Sequence, residues 1–191
     1  MLPFTIFLCL VLSGIGLFVS AFGFKIPVRD SSSTGAAWVR GRWRDMALGL
    51  GLGILVAALW SVLFNAASPD AGKDELELTG PVSVFSPMLS VISIVFLAPP
   101  IEELLFRGIM FGGYRKSFGA ARGGLLTTVI FVAMHFDRFI SYPMAIFGIT
   151  SLALVALMMR MRTNAIGPSI SVHFGYNGFL VLTPILLNLF S

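Results

Sequence analysis

The chain has 191 residues, 57% of them hydrophobic and 12% charged, with a formal net charge of +4 and a mean hydropathy of +0.92. A soluble domain carries about twice that share of charge, and disorder needs low hydrophobicity with high charge, so what remains is an all-α, polytopic integral membrane helix bundle. Nucleic-acid binding is not expected despite a pI near 9.7, because the basic residues are scattered between apolar blocks, and the single cysteine, Cys9, permits neither an intrachain disulfide nor a thiolate metal site.

A helix crosses the ~30 Å hydrocarbon core in about 20 apolar residues. The first candidate runs from Leu2 to Phe24 without a charge. Val19-Ser20-Ala21 resembles a signal-peptidase site, but no basic residue precedes the stretch and it is long for a signal core, so retention as a span is expected. The second candidate runs from Met46 to Ala67, where Gly49 and Gly53 have the small-xxx-small spacing of close helix packing. The third begins near Pro81, continues through Leu97, carries Glu102, Glu103 and Arg107, and ends near Gly113. The fourth runs from Gly123 to Phe136, the fifth from Phe139 to Met159 and the sixth from Ala165 to Phe190. Six spans are therefore predicted, with flexible connections at Asp30 to Ala37 and Ser68 to Gly80.

The loops between these spans predict an orientation. Residues 25–45 hold Lys25, Arg29, Arg40, Arg42 and Arg44 against Asp30 and Asp45. Residues 114–122 hold Arg115, Lys116 and Arg122 with no acid, and residues 160–162 hold Arg160 and Arg162. Residues 68–82 are acidic, with Asp70, Asp74, Glu75 and Glu77 against Lys73. Lys/Arg-rich loops stay in the cytoplasm. Both termini and the acidic loop are then expected outside, and a bacterial inner membrane is the expected location.

Ionisable groups inside a span are expensive and by default suggest function. The chain has two histidines, His135 and His173, and both fall inside predicted spans. Counted from the cytoplasmic ends, Glu102 lies about ten residues deep, His135 about thirteen and His173 about ten, or roughly 15–20 Å at ~1.5 Å per residue. Three helices thus deliver a carboxylate and two imidazoles to one layer. Glu103 and Arg107 are at i and i+4 with the acid first, the favourable order for an ion pair. Glu102 points about 100° away around the helix, which leaves it the free carboxylate, suited to general acid or base chemistry. His173 and Asn177 share a helix face one turn apart and suit the donor pair of an oxyanion hole, although His and Asn also serve as plain interhelical contacts.

Other chemistries fare worse. The His-Glu-x-x-His pattern of zinc proteases is absent. Glu102, His135 and His173 still form a set of ligand types that a divalent metal such as zinc could use, but nothing in the sequence requires a cofactor. Ser169, after Gly167-Pro168 and before His173, is a weak hint of a serine nucleophile, since an oriented base is also needed. Cys9 is remote from any histidine, and no glycine-rich phosphate loop is present.

Three motifs emerge in order: Glu102-Glu103-Leu104-Leu105-Phe106-Arg107, Phe131-Val132-Ala133-Met134-His135 and His173-Phe174-Gly175-Tyr176-Asn177. With Pro99-Pro100 leading into the first and Gly108 following it, they resemble the CPBP family. That family includes CAAX prenyl endopeptidases of the Rce type and bacteriocin-processing or self-immunity proteins. The resemblance covers roughly Pro81 to Leu182 and divides the chain into an N-terminal pair of spans over residues 1–80 and a catalytic bundle over residues 81–191. It implies a glutamate-type intramembrane endopeptidase acting on a peptide or membrane-protein substrate in the lipid bilayer. Glu102 and His135 would activate water, His173 and Asn177 would stabilise the oxyanion, and Glu103, Arg107 and Phe131 would support the site. The alternatives are a non-catalytic membrane immunity or scaffold protein that keeps the polar cluster, and a small proton or ion transporter using Glu102 and His135 as a relay.

Overall fold

The computed structural model describes residues 41–67 and 87–190. The expected span Leu2 to Phe24 with Cys9 and Val19-Ser20-Ala21 lies outside the described residues, as do Asp30 to Ala37, the acidic segment 68–82 and the first residues of the third expected span. Every described element is helical.

Helix α1 spans Trp43–Ala67. Helix α2, Pro87–Val91, opens a long run that widens into a π-helical segment, π1, at Ile92–Leu97. The run narrows again in α3, Ala98–Glu103, widens in π2, Leu104–Met110, and continues as α4, Phe111–Ala133. Val91, Leu97, Leu104, Met110 and Phe111 at the junctions keep right-handed helical dihedrals, so the pieces from Pro87 to Phe118 form one rod, which ends at Gly119 within α4. Helices α5, Phe136–Ser141, α6, Ala145–Thr163, and α7, Gly167–Phe190, follow.

The first wide turn has a local cause. Pro99 and Pro100 lack N–H groups, so the carbonyls four residues earlier lose their α-helical donors. The turn loosens, and the Ala98 N–H reaches back to the Ser93 carbonyl. Both prolines then sit in the first turn of α3, where a missing donor costs nothing.

Three expected boundaries are corrected. Residues 114–122, expected as a loop, are helical apart from a reversal at Gly119 (φ 80°, ψ 167°), a conformation open essentially to glycine alone. The arms on either side close so tightly that a Cβ on Gly123 would meet the Arg115 backbone at 2.7 Å. The fifth span begins at Ala145 instead of Phe139, which belongs to α5. Pro143 is the reason, since the residue before proline is pushed out of the helical region and Tyr142 is extended (φ −139°, ψ 86°). Finally, Arg160 and Arg162 are on the last turn of α6, not in a loop. That helix stops at Asn164 in the left-handed conformation (φ 54°), a common helix ending.

Among the described residues three helices are long and apolar enough to cross a membrane: Trp43–Ala66, Ala145–Thr163 and Gly167–Leu187. The distribution of side chains fits that solvent. Leu55 and Val62 are 62% and 66% exposed, while Glu103 and Arg107 are 0% and 1% exposed. Water would reverse that arrangement, whereas lipid favours it, because hydrocarbon cannot satisfy polar groups.

Helices α1 and α7 run parallel at near-backbone contact. A Cβ on Gly49 would meet the Pro168 carbonyl, one on Gly53 the Val172 carbonyl, and one on Gly175 the Leu50 carbonyl. Packing, which the sequence spacing suggested for Gly49 and Gly53, is thus their role. Helix α6 crosses behind this pair, joined to α1 by Trp60 Nε1–H donating to Ser151 Oγ (3.0 Å) and by stacking of Trp60 on Phe147. The core of Ala57, Phe106, Phe131, Leu152, Ala153, Ala156, Met159, Val172 and Tyr176 joins α1, α6, α7, π2 and α4, and its Phe131 ring meets Arg107 and His173 of the polar cluster.

Candidate active site

The polar cluster is assembled from three elements. The rod supplies Glu102 and Glu103 at the end of α3 and Arg107 within π2. His135 stands just beyond α4, at the break before α5, with φ −101° and ψ 20°. His173 and Asn177 come from α7.

Glu103 anchors the arrangement. Its Oε1 accepts from Arg107 Nη1 at 3.0 Å and from His173 Nδ1 at 3.1 Å. The expected i,i+4 pair is therefore present, and the same oxygen also holds the imidazole of another helix. Arg107 donates further from Nη2 to the Ala153 carbonyl at 3.0 Å, and its guanidinium lies 4.3 Å from the centroid of the Phe131 ring. A buried charge is tolerated when paired and hydrogen-bonded in this way. Phe131 also meets Phe106 edge-on at 5.0 Å and His173 edge-on at 5.9 Å, so one ring braces both the arginine and the imidazole.

Glu102 faces the Nε2 edges of the two imidazoles. Its Oε2 is 3.9 Å from His135 Nε2 and 4.0 Å from His173 Nε2. Those separations exceed direct hydrogen bonds, and Oε2 is buried without a hydrogen-bond partner among the described residues. His135 Nδ1 lies 2.8 Å from the Phe131 carbonyl. A carbonyl only accepts, so Nδ1 carries the proton. In the neutral ring Nε2 then bears a lone pair. His173 Nδ1–H likewise donates to a group that accepts, the Glu103 carboxylate, which leaves its Nε2 facing Glu102 and able to carry a second proton. The two imidazoles thus present Nε2 to one carboxylate oxygen.

The i,i+4 donor pair of α7 is more specialised than its spacing suggests. Asn177 Nδ2 donates to the Ile94 carbonyl in π1 at 2.9 Å, and His173 Nδ1 is committed to Glu103. Ser169, the weak serine candidate, is fully buried and donates Oγ–H to the Ala156 carbonyl at 2.8 Å, which makes it a helix-packing contact. Among the described residues no group of three or more His, Cys, Asp or Glu side chains is arranged to hold a metal ion.

Arg160 was missed by reading the sequence. Counted there as a loop charge, it is 4% exposed and donates from Nε to the Arg107 carbonyl at 3.1 Å. A signal existed: Ala153, Ala156, Leu157 and Arg160 follow helical spacing on one buried face.

No curated protein and no solved structure matches the chain. A family model does match: type II CAAX prenyl endopeptidase Rce1-like, over residues 84–179, half of the chain. The matched stretch contains the diglutamate, both histidines and Asn177 in the order that suggested the resemblance. The chain therefore belongs to the Rce1-like family of type II CAAX prenyl endopeptidases, as an all-helical integral membrane protein.

Proposed function

We propose that the chain is a glutamate-type intramembrane endopeptidase. The observation that carries this reading is the convergence of two imidazole Nε2 atoms on one buried, unpartnered carboxylate oxygen. One water can bridge Glu102 and His135 across 3.9 Å. Glu102 takes a proton from that water as its oxygen attacks the scissile carbonyl. The tetrahedral oxyanion accepts hydrogen bonds from the second N–H of Asn177, the first being held by Ile94, and from His173 Nε2–H in its imidazolium form, steadied by Glu103 at Nδ1. Donors set in advance where charge develops are the main source of rate in such sites. The proton taken by Glu102 passes to the leaving nitrogen as the C–N bond breaks, so no acyl-enzyme forms.

The route draws only on the chain's own groups and water. Glu102, His135 and His173 offer ligand types that a divalent metal could use, but their arrangement is not one that holds an ion, so no step is assigned to a metal. Substrate is a peptide segment reaching the site from the basic, cytoplasmic face.

The test compares the peptides released in membranes carrying wild type or Glu102→Gln, each with and without a chelator. The variant removes the base and little volume. Substrate cleavage is expected to disappear with Glu102→Gln at unchanged protein level. Undiminished cleavage by the variant would overturn the reading and favour a scaffold or immunity role. Loss of cleavage with the chelator alone would place a metal in the reaction.

A further inference from the structure

The rod carrying the diglutamate departs from a regular helix twice, and each departure leaves carbonyls without their usual donors; one at each place is singled out by what replaces the donor. At the end of π1 the Ala98 N–H bonds Ser93 instead of Ile94, the residue four back. At the end of π2 the Phe111 N–H bonds Phe106 instead of Arg107. Both bypassed carbonyls receive a side chain from another helix. Asn177 Nδ2 of α7 donates to Ile94 at 2.9 Å. Arg160 Nε of α6 donates to Arg107 at 3.1 Å.

The short helix α3, with Glu102 and Glu103 at its end, is thereby clamped from both sides. We propose that Arg160 is a positioning residue for this site, fixing the π2 turn from which Arg107 reaches Glu103, and through Glu103 the His173 ring. Its own direction is set by Nη1 donating to Asn164 Oδ1 at 2.8 Å, on the left-handed residue that ends α6. Its guanidinium also lies 5.9 Å from the Phe111 ring. The planar fork reaches the carbonyl through Nε and the amide oxygen through Nη1 in directions fixed by one rigid group. Lysine keeps the charge and loses that geometry.

The inference rests on the reading of the cluster as catalytic, but its test does not need a substrate. The two histidines are the only ones in the chain, and both belong to the site. Histidine labelled with 15N in the full-length protein in micelles therefore gives signals from the site alone. In Arg160→Lys the Nδ1 signal of His173 is expected to move toward that of an imidazole without a carboxylate partner. The Nδ1 signal of His135, bonded within its own segment to Phe131, should stay in place. Asn164→Gly removes the second anchor while accepting the left-handed backbone, and should move the same signal by less. A His173 signal unchanged in the folded variants would overturn the proposal, and Asn164→Gly decides alone where Arg160→Lys does not fold. With a cleaved peptide in hand, Arg160→Lys should lower kcat by about 10²-fold at similar KM. If the signal moves but wild type cleaves no peptide, the positioning role stands and the catalytic reading falls.

Discussion

Glu103 shows how much one residue carries here. A single carboxylate oxygen serves Arg107 and His173, and both partners are buried. Removing its charge leaves the buried Arg107 without its hydrogen-bonded anion, with only neutral support from the Ala153 carbonyl, the Phe131 ring and the new amide oxygen. Breaking a buried pair on one side costs about 3–5 kcal/mol. Glu103→Gln should therefore lower the unfolding free energy by about that amount, measured by denaturant titration in micelles. A wild-type unfolding curve would show that Arg107 finds other support. Asn177→Ala removes the proposed oxyanion donor and the clamp on Ile94 together. Turnover should fall ~10²–10³-fold, with kcat carrying the loss. Unchanged kcat would leave Asn177 as a packing contact. The identities of these residues could be read from spacing, because i,i+4 neighbours meet on any helix. The tie between Glu103 and His173 could not, because it joins residues 70 positions apart.

Among the elements, the contact of α1 with α7 relies on absent side chains. Gly53 and Gly175 each stand where a Cβ would strike the partner's backbone, and a backbone cannot rotate away. Gly53→Val should destabilise the protein by about 3 kcal/mol or more. Gly51, two residues earlier, has nothing within 4 Å of its Cβ position. Gly51→Ala should be neutral or gain up to about 1 kcal/mol from helix propensity. Equal melting of the two variants would mean that the helices are not in close contact. The spacing of Gly49 and Gly53 made this packing legible from the sequence. The π-turns were not, since proline explains the loss of a donor but not which neighbour will supply a replacement. Arg160 was misread for a related reason: its position near the basic end suggested a loop, and only the course of α6 turns it inward.

At the scale of the whole molecule, the start of α1 and the end of α6 lie at one end of the bundle. Arg42, Asp45, Leu48, Met159, Arg162 and Thr163 line a single cleft there. That is the arrangement expected if the basic segments 25–45 and 160–162 share a membrane face. A chain with Cys9→Ser and Lys116→Cys, labelled with an impermeant maleimide, should react in inverted vesicles and not in intact spheroplasts. The opposite pattern would reverse the assigned orientation and the side from which substrate arrives. The membrane class, the order of the apolar stretches and the set of polar motifs follow from the sequence by itself, because hydrophobic runs and helical spacing are local properties. Only the tertiary structure decided which atoms of those motifs meet. A shared oxygen on Glu103, two Nε2 atoms turned toward Glu102 and two side chains bonded to bypassed carbonyls all depend on how separate helices cross, and no local rule encodes that crossing.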